Sequence, residues 1–99
     1  MQKMLPEDFE EIAKNAQAAV AEMHLAIGDE NTEMDRRCLA GAFSDVADVV
    51  TDLALTVANL RARLDSADDE SDMRAELAYS SLQAAETLLG DCYLELKKS

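Results

Sequence analysis

Leu39, Phe43, Val46, Val50, Leu53, Val57, Leu60 and Leu64 recur at alternating spacings of four and three residues. That rhythm keeps one apolar seam on one side of a helix for more than three heptads. A helix cannot bury such a seam by itself, so these residues predict contact with other helices, of the same chain or of a second copy. The same rhythm runs through Leu5, Phe9, Ile12, Ala16, Ala19, Met23 and Ala26, and again through Ala75, Ala78, Leu82, Ala85, Leu89, Cys92 and Leu96. Three amphipathic helices follow, over about 6–27, 33–64 and 67–97.

Local signals punctuate the three stretches. Pro6 suits the first turn of a helix, where its missing N–H is not needed. Glu7, Asp8, Glu10 and Glu11 then complement the positive helix end. Gly28 predicts the stop, Thr32 with Asp35 a capping box for the second helix, and Ser66 over Asp69 a cap for the third. Lys97 and Lys98 suit the negative end of the last helix. Gly41 marks a kink or a close crossing. Tyr79 and Tyr93, with Glu86 between them, are expected beside the third stripe with their hydroxyls reaching water. The short break at 65–72 makes the second and third helices an antiparallel hairpin. The expectation is all-α: a single domain over 1–99, a three-helix bundle with a long antiparallel helix 2–helix 3 hairpin, dimerising as a bundle of two hairpins.

Composition narrows the function. Among 99 residues 48% are hydrophobic but only 4% aromatic, a content suited to close-packed helices. Twenty-one acidic residues against nine basic ones leave a net charge of −12. Such a surface repels phosphates and anionic lipid, which argues against direct nucleic-acid binding and against membrane docking. A basic protein surface is the partner it suits. Two distant cysteines, Cys38 and Cys92, with one histidine, His24, form no zinc-ligand spacing and no Cys/His nucleophile pair. No metal and no cofactor are expected. The first residues lack a signal-peptide core, so the cytoplasm is the expected compartment.

Asp45, Asp48 and Asp52 step by three and four, which places all three carboxylates on one helix face, opposite the seam. Two carboxylates one turn apart can hold Mg²⁺ beside a phosphate substrate. Here Asp45-Val46-Ala47-Asp48-Val49-Val50 resembles the E-x-x-D helix of all-α nucleotide pyrophosphatases of the MazG type, with Asp in place of the first Glu. The resemblance implies a second acidic motif, E-E-x-x-E, whose nearest match is Glu7-Asp8-Phe9-Glu10-Glu11. The favoured expectation is not an enzyme. With Asp65, Asp68, Asp69, Glu70 and Asp72 in the acidic break, the aspartate stripe makes a row of charge that can imitate a nucleic-acid backbone. This predicts a protein-binding inhibitor or regulator of a basic, nucleic-acid-binding partner, in the manner of phage-encoded anti-restriction and anti-CRISPR proteins. A structural homo-oligomeric scaffold is the alternative outside that class.

Overall fold

A computed structural model describes residues 5–29, 33–64 and 67–98. Three α-helices account for nearly all of them: α1 (Pro6–Gly28), α2 (Arg36–Arg61) and α3 (Asp69–Lys97). The described residues contain no strand, and the protein is all-α. The chain divides into two compact units, Met1–Glu33 and Met34–Ser99.

The first unit is α1. Its opening turn is tied by the Leu5 amide, which donates to the Asp8 carboxylate at 3.1 Å, while Pro6 occupies the first helical position. The helix stops at Gly28 without a left-handed residue: Asp29 is already extended. Along its apolar stripe Phe9 is 44%, Ile12 51% and Val20 44% exposed, and Met23 is half-buried.

The second unit is an antiparallel hairpin of α2 and α3. Asp35 caps α2 by accepting from the Cys38 amide at 2.8 Å, so the helix begins at Arg36 and not near residue 33. The expected cap, Thr32, lies outside the described residues, as do Glu30 and Asn31. At the far end Arg63 and Leu64 donate to the carbonyls of Leu60 and Arg61, tightening the chain out of the α-helix after Arg61. Asp68 caps α3 through the Ser71 amide, 3.2 Å away, while Asp65 and Ser66 lie outside the described residues.

Packing within the hairpin runs along a stripe offset from the predicted seam. The two buried residues among those described are Ala40 and Ala54, each 4% exposed. With half-buried Ala47 they form a row of small side chains that, together with Phe43, Val50 and Val57, faces α3. Leu39, Val46, Leu53 and Leu60 form the neighbouring row, and Leu53 and Leu60 remain 47% and 48% exposed. On α3 the half-buried positions are Ser71, Asp72, Ala75, Tyr79, Leu82, Ala85, Glu86, Leu89, Gly90, Tyr93 and Leu96, whereas Ala78 and Cys92 are exposed. Alanines on one helix thus make room for tyrosine and leucine on the other. A Cβ added at Gly41 would meet nothing within 4 Å, so this glycine marks neither a close crossing nor a break in α2.

An arginine secures each end. Arg61 grips Asp72 in a fork, Nε to Oδ1 at 2.6 Å and Nη2 to Oδ2 at 3.0 Å, with Glu76 at 3.6 Å. Arg36 reaches across to the last carbonyls of α3, those of Leu96 (2.9 Å), Glu95 (3.0 Å) and Lys98 (3.3 Å).

Candidate functional site

Asp45, Asp48 and Asp52 all lie on the side of α2 turned away from α3, and all three are exposed. Geometry explains this, since steps of three and four carry one helix face, and the inward face is already taken by Ala47, Val50 and Ala54. None of the three is held in an ion pair among the described residues. Thr56 back-bonds to the Asp52 carbonyl at 2.8 Å and leaves its carboxylate unengaged. The stripe is therefore a set of open acceptors rising ~10 Å along a helix that packing holds in place.

The acidic break is used differently from residue to residue. Asp68 is occupied as the α3 cap, and Glu70 pairs with Arg74 at 3.0 Å within its own helix. Asp69 stands exposed in the first turn, where negative charge suits the positive helix end. Asp72 is committed to Arg61, whose hydrogen bond holds its carboxyl below the usual carboxylate value. The same bond raises the arginine. Of the predicted partner contacts that are described, Asp45, Asp48, Asp52 and Asp69 are the ones left unengaged by side-chain bonds. Asp72 instead helps close the hairpin.

Sequence reasoning did not single out the opposite end. There Arg36, Arg37, Ala40, Gly41, Tyr93, Leu96 and Lys97 line an open cleft. Its cations are largely engaged: Arg36 holds carbonyls, and the Lys97 ammonium lies 5.1 Å from the centre of the Tyr93 ring. The signal was the Arg36-Arg37 pair at the start of α2, where positive charge is out of place unless something nearby offsets it.

Among the described residues no group of three or more His, Cys, Asp or Glu side chains is placed to hold a metal ion. Both cysteines are free and exposed. No helix among them is long and apolar enough to cross a membrane. No family model, curated protein or solved structure matches the chain.

Proposed function

We propose that the chain is a non-enzymatic protein-binding module that occupies a basic, nucleic-acid-binding surface of a partner in the cytoplasm. The observation that carries this reading is the outer aspartate stripe. Asp45, Asp48 and Asp52 are exposed, aligned and, among the described residues, unpaired on a helix fixed by its other face. Carboxylates presented this way meet a basic groove without first surrendering partners inside their own chain, and a rigid helix limits the entropy lost on binding. Asp69, exposed in the first turn of α3, adds a further unengaged carboxylate, while Asp65 lies outside the described residues. The predicted three-helix bundle and homodimer remain the working architecture of this proposal.

The test is capture from a lysate of the source organism on the immobilised chain, washed at rising salt, beside the triple variant Asp45→Lys/Asp48→Lys/Asp52→Lys. The expected result is a basic nucleic-acid-binding protein that elutes with salt, loses its nucleic acid to the wild-type chain, and is not retained by the variant. The variant should keep its helical circular dichroism. Retention of the same protein by a folded variant would overturn the assignment. Hydrolysis of a nucleoside triphosphate with Mg²⁺, lost in Asp48→Ala, would favour the pyrophosphatase instead. The scaffold reading has its own support in the uncovered leucines of α2.

A further inference from the structure

We propose that two copies of the hairpin pair end for end, each burying the side of α2 and α3 that carries Leu53, Leu60 and Leu88. This rests on the homodimer reading above and deepens it by assigning the surface and the orientation.

The two sides of the hairpin differ. In an antiparallel helix pair, residues immediately before the inward alanine row of α2 and before the inward tyrosine row of α3 project to the same side. On α2 these are Leu39, Val46, Leu53 and Leu60; on α3 they are Ala78, Ala85 and Cys92. The next row outward adds Val49 and Leu88, the latter 64% exposed. The opposite side presents Ser44 and Thr51 from α2 and Glu76, Gln83 and Lys97 from α3, and Arg37 and Lys97 line one cleft there. In the rows that flank the helix contact one side is apolar and the other polar, although farther out the polar side also carries Leu55, Met73 and Leu94, which are 54%, 60% and 57% exposed.

The apolar side is large enough to matter. With ~26 paired residues rising 1.5 Å each and two helix widths, it measures about 40 by 20 Å, or ~800 Å² per copy, the usual share of a stable interface.

Charge selects the partner and its direction. Along the two outer rows of this side, α2 carries no charged residue anywhere between Asp35 and Arg63. On α3 the same rows carry only Arg74 and Glu95. Arg63 and Arg74 lie at the connection end, Asp35 and Glu95 at the other, and all four are exposed. A second copy laid end for end brings Arg63 and Arg74 over Asp35 and Glu95 at both ends, while a copy laid in the same direction sets like charges together. Arg74 bonds Glu70, and Glu95 bonds Lys98 at 3.2 Å; both are exposed pairs within one helix and cost little to exchange.

The experiment uses the full chain. Light scattering after gel filtration should give twice the chain mass, shifting to the single-chain mass for Leu60→Asp with helical circular dichroism retained. In a Cys38→Ser/Cys92→Ser background, a short bismaleimide should join two copies of Ala85→Cys, which lies near the middle of α3 and hence near the two-fold axis. It should not join copies of Leu60→Cys, whose sulfurs would stand ~35 Å apart. Cross-linking of Leu60→Cys to itself would overturn the orientation while leaving a homodimer. A dimer that survives Leu60→Asp and Leu53→Asp would overturn the surface. A wild-type monomer would overturn both this inference and the homodimer reading, and Leu60→Cys shielded from thiol reagents in that monomer would show the side covered from within its own chain.

Discussion

Asp72 meets Arg61 with both of its oxygens, at 2.6 and 3.0 Å, and so ties the last residue of α2 to the first turn of α3. The two residues are eleven apart in sequence, and the fork closes the hairpin at the point where the helices part. Bidentate geometry is what separates this pair from the exposed Lys14–Glu10 and Arg74–Glu70 pairs, which span one turn of a single helix.

Stability should therefore fall with acid in a way one substitution removes. The Arg61 hydrogen bond lowers the Asp72 carboxyl below its ordinary value of 3.8. A carboxyl lowered in the folded state adds stability that is fully present above the unfolded value and disappears as pH drops through the folded one. Asp72→Asn should melt below the wild type at neutral pH. The gap should close under titration to pH values below 3.8, read by thermal unfolding at each pH. A gap that stays constant across that range would show that the ion pair does not stabilise the hairpin.

Small side chains in the inner row of α2 set the distance between the helices. Ala54 is 4% exposed and faces the row that carries Tyr79 and Leu82. Ala54→Leu should force these apart and cost about 1–3 kcal/mol, seen as a lower urea midpoint. The same change at Ala13, exposed on α1, should be close to neutral.

Gly41 offers the opposite sign. It is exposed, its backbone is helical, and an added Cβ meets nothing within 4 Å. Gly41→Ala should stabilise the protein by about 0.5–1 kcal/mol, because the unfolded chain loses freedom and the helix loses no contact. Calorimetry on the single variant is sufficient; an unchanged or lower melting temperature would refute the reading of this site as open.

Three helices and their order were legible because spacings of three and four persist for many turns, and only a helix keeps such positions together. The rotation of each helix was not. Hydropathy ranks Leu39, Val46, Leu53 and Leu60 above Ala40, Ala47 and Ala54, yet two helices in close contact need the small side chains between them. On α3 the same bias favoured Ala78 and Cys92, which are exposed, over Tyr79 and Tyr93, which are half-buried. Larger side chains on one helix suit small ones on the facing helix. Asp45, Asp48 and Asp52 were legible as one face from spacing alone. The commitment of Asp72 was not, since its partner Arg61 is defined only once the hairpin closes. Asp35 was foreseen as the second half of a capping box and is itself the cap, a difference of one turn that spacing cannot resolve.

Arg36 links two helix ends that would each be unfavourable alone. Its charge sits at the positive start of α2, where it is unwelcome, and its guanidinium donates to three terminal carbonyls of α3, where the negative end welcomes it. Three acceptors in different directions need a planar fork, which lysine lacks. Arg36→Ala should cost about 1 kcal/mol, and Arg36→Lys should recover less than half of it even though the charge is kept. The loss should be local first. Amide exchange at Lys98, which donates to the Leu94 and Glu95 carbonyls, should quicken in both variants while exchange near Ala54 holds until the hairpin melts. Equal stability of Arg36→Lys and wild type would mean that charge alone secures this end and that the three hydrogen bonds add nothing.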